Sequence, residues 1–380
     1  MPNITATMSK TLMGPPTYAP PGGGASEDRA RQGSSESRPS EARPAEPRPA
    51  DRRSTAPRVA SFGELLWDLY AAPSGAAPSG SAPSGSTSPT SAAPHSEGAR
   101  HLGGAPANLA FHARAAGAQA ILVSRIGDDD LGREARSLLE ERGLDTSGLE
   151  VDPRFPTGSV VVRFDDGQPS YTILEDVAWD HIELPPNGIA ALGALDAFCF
   201  GSLAARSSVS RASLERALDT LTPSTNGSSS PNESSSTNGS RPLLLLDVNL
   251  RPPFVDVDWL LDVVRRVDVV KCNEEELAWL TQAWARPVEE IVFEGRARWL
   301  AVTRGARGAR LTVREASGAL SQHDAPAVPS RGSDPVGAGD AFAAELIVGL
   351  CRGEAPDVVL ERANRRAAWV AEQPGAMPVQ

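Results

Sequence analysis

Residues 334–342, Asp-Pro-Val-Gly-Ala-Gly-Asp-Ala-Phe, place an acid directly behind a glycine-rich turn. The apolar residues that follow, Ala341, Phe342, Ala343, Ala344, Leu346, Ile347 and Leu350, are spaced for a helix buried on one side. Asp340 then falls in the first turn of that helix. Gly337, Ala338 and Gly339 are small enough for backbone N–H groups to approach an anion. A helix N-terminus adds unpaired donors and a favourable dipole. A carboxylate beside such an anion hole can take the proton of an alcohol while a phosphoryl group arrives. Phosphoryl transfer to a hydroxyl is the chemistry these residue types suggest. A dinucleotide fingerprint is a weaker reading, because the third glycine is missing.

Other polar residues stand at the ends of apolar runs. Gly103-Gly104 opens a helical pattern that carries Asn108 one turn later. The two glycines serve either close helix packing or a ligand laid against the backbone. The Asn108 amide can both donate to and accept from hydroxyls. Asp68 suits hydroxyl recognition and loop capping equally. Asp247, Asn249 and Arg251 alternate at the end of a leucine run, so they point to one face. Arg251 there fits either charge neutralisation on a moving phosphoryl group or a salt bridge with Asp247 or a nearby acid. Asn273 and Glu276 read on spacing as a capping pair, although the same face could reach magnesium through water. Thr303 and Gly305 fit a tight hairpin or a phosphate contact.

These residues need a scaffold, and the hydrophobic pattern supplies one. Arg58–Leu66 reads as a buried strand ending near Trp67-Asp68, and Ala120–Ser124 as the next. Gly127–Asp130 introduces a helix through Leu138 and Leu139, with the aspartates at its electropositive end. Alternating residues on both sides of Asp165-Asp166-Gly167-Gln168 predict a hairpin over 157–174. Short apolar runs at 197–200, 243–248, 267–271, 299–303 and 309–313 alternate with helical segments. That alternation predicts an α/β fold with a parallel sheet covered on both faces. Asp68, Asn249, Asn273, Thr303 and Asp340 fall at or just past the carboxyl ends of such runs, where open α/β sheets bind ligands.

Composition narrows the classes. Residues 1–57, 71–99 and 223–241 are dominated by Pro, Gly, Ala, Ser, Thr, Asn and charged residues. They lack the apolar content to offset the entropy of ordering, so they read as a disordered extension and two low-complexity inserts. The rest is ample for one large domain over 58–380. A net charge of −11 argues against nucleic acid as a partner. No apolar run is long enough to span a membrane, and no signal peptide is visible. Cys199, Cys272 and Cys351 are widely spaced and lie in apolar surroundings, which reads as reduced thiols in a cytoplasmic protein. The five histidines show no ligand spacing for zinc. The only lysines, Lys10 and Lys271, follow no Gly-x-x-x-x-Gly pattern, so there is no Walker-type loop. Backbone amides and arginine are therefore expected to hold any phosphates.

Taken in order, Gly103-Gly104-Ala105-Pro106-Ala107-Asn108, Asn273–Glu276, Val302–Gly305 and Asp334–Phe342 resemble the PfkB (ribokinase-like) carbohydrate kinases over about residues 58–378. Gly63–Asp68, the Gly-Gly-Ala-Pro-Ala-Asn form and Asp247-x-Asn249-x-Arg251 look most like the fructokinase branch. The resemblance implies a ribokinase-like three-layer sandwich with a mostly parallel central sheet and a small β lid around 157–174. It implies an ATP- and magnesium-dependent kinase acting on a primary sugar hydroxyl, most simply O6 of D-fructose. 2-Keto-3-deoxygluconate, ribose and a nucleoside are alternative acceptors, and a weakly catalytic regulatory binder is the alternative from another class. Asp340 would be the base, Gly337, Ala338 and Gly339 the anion hole, and Arg251 an auxiliary to transfer. Asp68, Gly103, Gly104 and Asn108 would hold the sugar. Asn273 and Glu276 would order magnesium and the phosphates, against the capping reading. Thr303, Gly305, Gly308 and Asn364 would line the nucleotide pocket. A potassium-like ion near Asp334 and a homodimer through the lids are further implications. Glu345 departs from the small residue usual in the helix after the base, and raises the question of a crowded nucleotide pocket.

Overall fold

Four consecutive leucines, Leu243–Leu246, show why the chain folds in layers. All are buried: Leu243 and Leu245 join one apolar cluster, while Leu244 and Leu246 join the other. A strand that is apolar on both faces needs a cover on both faces, because successive side chains point to opposite sides. Ala197 and Cys199 against Phe198 and Phe200 repeat the pattern.

The computed structural model describes residues 56–70, 99–165, 168–184, 188, 194–222, 241–329 and 335–378. The strands are β1 Arg58–Phe62, β2 Leu66–Tyr70, β3 Arg100–Gly103, β4 Gln119–Gly127, β5 Leu149–Asp152, β6 Gly158–Asp165 and β7 Gln168–Ile173. They continue with β8 Ala197–Gly201, β9 Leu243–Asp247, β10 Val269–Asn273, β11 Trp299–Thr303, β12 Ala309–Arg314 and β13 Leu320–Ala325. Among the described residues the helices are α1 Ala105–Ala115, α2 Asp130–Glu141, α3 Ser208–Leu221 and α4 Val257–Val263. After these come α5 Glu274–Trp284, α6 Val288–Glu294, α7 Ala338–Cys351 and α8 Pro356–Ala371.

The central sheet runs β13-β12-β11-β10-β9-β8-β1-β4-β5. Pairings from β11 through to β5 are parallel, and β12 and β13 close one edge antiparallel. The apolar run at 309–313 is therefore a hairpin partner of β11 and no member of the parallel set. Helices α1, α2, α7 and α8 contribute to the cluster on one face, and α3, α4, α5 and α6 to the cluster on the other. The expected three-layer α/β sandwich is what forms.

A second sheet, β3-β2-β6-β7, makes the small β layer. The hairpin expected over 157–174 is its β6–β7 pair. Its other half corrects the reading of Arg58–Leu66 as one strand. The chain leaves the central sheet after Phe62, turns through Gly63–Leu65 and enters the second sheet at Leu66. Asp68 thus lies within a lid strand, opposite His101 of β3 and Val160 of β6. The proposed disordered extension and the two inserts lie, apart from their edges, outside the described residues, as does Asp334.

Helix α7 also differs from expectation. Every residue from Ala341 to Leu350 is buried, so the helix is covered all round. Glu345 neither faces solvent nor stands alone: Arg362 Nε of α8 donates to its Oε2 at 2.8 Å. The acid is held between two helices by its own counter-ion.

Candidate active site

The aspartate at the start of α7 meets the first helix of the fold. Asn108 Nδ2 donates to Asp340 Oδ2 at 2.8 Å. Both side chains depend on glycine. Gly104 caps α1 with φ 109°, and a Cβ there would lie 2.3 Å from the Glu64 carbonyl oxygen. Gly337 caps α7 with φ 79°, and a Cβ there would lie 2.6–3.0 Å from Ala376. Neither position accepts a larger residue without a shift. Ala338 N–H turns back to the Pro335 carbonyl at 3.2 Å. The Gly339 and Asp340 amides have no hydrogen-bond partner among the described residues, as the opening turn of a helix requires. Of the expected Gly337–Gly339 set, the Ala338 amide is thus engaged, while Gly339 and the adjacent Asp340 stay open to an anion.

The lid reaches the same region. A Cβ on Gly103 would stand 3.5 Å from Asp68 Oδ2, so the Asp68 carboxylate lies against the Gly-Gly turn. Asp68, Gly103, Gly104, Asn108 and Asp340 therefore form one continuous path from lid to helix α7. Asn108 is buried, and its Oδ1 has no partner among the described residues. A buried acceptor in that state suits a ligand hydroxyl.

A lysine stands where only arginine and amides were expected. Lys271, buried in β10, reaches both Asp247 oxygens at 3.0 Å, and the two residues are register partners across β9 and β10. Its Nζ is also 3.1 Å from where a Gly339 Cβ would be, which puts the ammonium against the first turn of α7. Burial pulls its pKa down, but the charges of Asp247, Glu276 and Asp340 outweigh this and keep it above the usual lysine range. The lysine remains a cation. A Lys in the middle of a buried strand was the available sequence signal; its aspartate partner, 24 residues away, was not readable from spacing.

Because Lys271 takes Asp247, Arg251 is left out of the salt bridge considered for it. Its Nη1 donates to the Leu250 carbonyl at 2.9 Å, and no carboxylate lies within ion-pair distance among the described residues. Arg251 nevertheless acts electrostatically on Asp340, Asp247 and Glu64. Burial pushes the Asp340 carboxyl above its ordinary range, while the Asn108 hydrogen bond, Lys271 and Arg251 pull against it. A carboxylate with raised proton affinity is a better base.

Asn273 and Glu276 form the capping box that spacing suggested. Asn273 Oδ1 accepts from Glu276 N at 2.8 Å, and Glu276 Oε2 accepts from Asn273 N at 2.9 Å. Glu276 Oε1 accepts from Leu250 N at 3.0 Å, which ties α5 to the segment carrying Arg251. Capping does not exclude a metal role, since each carboxylate oxygen keeps a second lone pair. Among the described residues no three acidic, His or Cys side chains converge on one point. Glu276 with water suits magnesium, a hard cation that needs few protein oxygens.

Thr303 ends β11 beside Asn273 of β10, and Gly305 follows with φ 54° and open space around its Cα. Gly308 closes the same turn, its N–H bonding to the Gly305 carbonyl at 3.0 Å, and it meets Asn364 at the end of β13. A Cβ on Gly308 would lie 2.0 Å from the Ala325 carbonyl oxygen, and Asn364 Nδ2 donates to the Ala325 and Pro326 carbonyls at 3.2 Å. Both fix the chain leaving β13.

His112 secures the tail behind the Gly337 turn. It is fully buried; one ring nitrogen meets the Ala376 carbonyl at 2.9 Å and the other meets Arg366 at 3.2 Å. Those partners assign Nε2–H as donor and Nδ1 as acceptor, a neutral ring. Burial above all, and then Arg366, lowers its pKa to about 4 from an ordinary 6.5. Below 6.5 the unfolded chain binds a proton that the folded chain refuses, so stability falls as pH drops from 6.5 towards 4. Between neutral pH and pH 5 this group should cost about 2 kcal/mol. Urea unfolding of the wild type and His112→Gln at both pH values checks this: the pH-dependent difference should shrink in the variant.

Comparison with known proteins bears on this geometry. Residues 56–380 match the pfkB family carbohydrate kinases. A fructokinase of Vibrio alginolyticus is 30% identical over 294 residues, covering 72% of this chain and 87% of that protein. The crystal structure of an uncharacterised sugar kinase from Pyrococcus horikoshii in complex with ATP matches with a TM-score of 0.66 and 26% identity, covering 84% of this chain and 94% of that one. The crystal structure of a fructokinase with bound ATP from Xylella fastidiosa shares the fold, with a TM-score of 0.67 and 20% identity over 84% of this chain and 94% of that one. The protein belongs to the pfkB family and is a carbohydrate kinase.

Proposed function

We propose that the protein transfers the γ-phosphoryl group of ATP to a primary hydroxyl of a sugar, with O6 of D-fructose as the acceptor. The Asn108–Asp340 hydrogen bond carries this reading. It occupies one oxygen of Asp340 and leaves the other for the attacking hydroxyl. Asn108 Oδ1 offers an acceptor to a neighbouring sugar hydroxyl, and Asp68 beside Gly103 offers more. The fructokinase relatives support the choice of sugar.

In the transfer, Asp340 takes the proton as the sugar oxygen forms its bond to the γ-phosphorus and the bond to ADP breaks. The free amides at the start of α7 and the Lys271 ammonium face the charge that develops on the phosphoryl oxygens. Arg251 adds a third positive source from the segment after β9. Glu276 and Asn273 would hold magnesium, and the bound ion would neutralise phosphate charge. Thr303 and Gly305 contact the nucleotide. The β layer covers the sugar and limits water, which would otherwise consume ATP. Arg362 compensates the charge of Glu345, which answers the question of a crowded nucleotide pocket in favour of an ordinary ion pair between helices. A homodimer through the lids is part of the proposal; Tyr171 and Leu174, on and just after β7, are exposed large apolar residues. A cytoplasmic setting is too, given buried Cys199 and Cys272.

A coupled assay for ADP with magnesium tests the acceptor. Fructose should exceed 2-keto-3-deoxygluconate, ribose and nucleosides in kcat/KM by about tenfold or more. Preference for another acceptor would overturn the fructose reading, and ADP release indifferent to sugar would overturn the kinase mechanism.

A further inference from the structure

Glu64 lies in the turn between the two sheets and has no role so far. It is 3% exposed. Its Oε1 accepts from Ala105 N–H, the first amide of α1, at 3.3 Å. Its Oε2 is buried with no partner among the described residues. Its backbone carbonyl lies where a Cβ on Gly104 would be, so the turn and the Gly-Gly loop lock together. Charged groups act on the carboxyl from two further elements: Arg251 from the segment after β9, and Asp340 from α7. A buried carboxylate oxygen without a donor is costly, whereas a neutral carboxylic acid in the same place is much less so.

We propose that Glu64 is a positioning residue that works as a neutral acid: protonated, it leaves the positive charge of Arg251 uncompensated for the phosphoryl group and leaves Asp340 as the one base. Ionised, it would compete with the phosphates for Arg251 and add a second negative charge beside Asp340. The arrival of a multiply charged nucleotide makes that second charge still less favourable, so nucleotide binding draws a proton from solvent onto Glu64. Burial, opposed by the surrounding amides and Arg251 and assisted by Asp340, sets its ordinary pKa of 4.5 at about 7, which places the change within the working range. This inference rests on Asp340 and Arg251 acting at the transfer point.

Two readouts test it. Calorimetric titration of ADP into the full chain, in buffers of different ionisation heat near pH 7.5, should show proton uptake in the wild type. That uptake should be absent in Glu64→Gln and retained in Asp340→Asn. In the pH profile, the wild type should lose kcat/KM for ATP above neutrality. Glu64→Gln should move that limb upward, and at about pH 8.5 exceed the wild type by about tenfold. Glu64→Ala, which supplies neither acceptor nor donor, should lose activity across the whole range, with partial recovery in Glu64→Gln. Proton uptake unchanged in Glu64→Gln, or a pH limb that does not move, would overturn the proposal. An active Asp340→Asn variant would instead overturn the assignment of the base, with the uptake measurement still reporting on Glu64.

Discussion

Asp340→Asn should lower kcat by two to four decades, roughly 10²–10⁴-fold, while ATP and sugar still bind. The asparagine keeps the size of the side chain and can still meet Asn108 across the 2.8 Å contact after an amide flip. What it lacks is a lone pair basic enough to take the hydroxyl proton. The anion-binding turn, Lys271 and Arg251 remain, so a residual rate from positioning and electrostatics should persist. Steady-state kinetics paired with sugar and nucleotide titration separates the two contributions. A loss confined to KM would mean that Asp340 only binds.

The second large effect belongs to Lys271→Met. Removing one partner of a buried pair leaves the Asp247 carboxylate uncompensated, at a cost of about 3–5 kcal/mol. The same change removes the ammonium beside Gly339. Stability and chemistry would then fall together, and one variant cannot tell them apart. The double change Asp247→Leu with Lys271→Met can, because an apolar pair of similar volume restores packing without the charges. Chemical unfolding should show recovered stability in the double variant, while kcat/KM for ATP stays at least about tenfold down. Recovery of both would reduce the pair to a structural element.

The features legible in the sequence are those fixed by local physics. Gly104 and Gly337 were readable because backbone conformations with positive φ and crowded neighbours tolerate little else. The leucine run of β9 was readable because burial on both faces leaves no polar alternation. The capping box of Asn273 and Glu276 is a three-residue pattern and formed as spacing required. The unread features are non-local. Nothing in an apolar stretch marks the change of sheet at Gly63–Leu65, since β1 and β2 are both hydrophobic. Strand β13 alternates between half-buried and exposed residues at a sheet edge, a weak signal for any period. The phase of Glu345 could not be read from a helix that is apolar all round, and its partner Arg362 lies on the next helix. Lys271 needed the register of β9 against β10 before its aspartate could be identified. The identity of the sugar is of the same kind, a matter of side chains that adjoin only in the folded protein.

The most direct test follows the phosphoryl group itself. Wild-type protein should move the terminal label of γ-labelled ATP onto O6 of fructose in a single turnover with magnesium, and Asp340→Asn should leave the label on ATP over the same interval. Equal transfer by both proteins, or label recovered only as inorganic phosphate, would contradict the assignment of Asp340 as the base at an assembled sugar site.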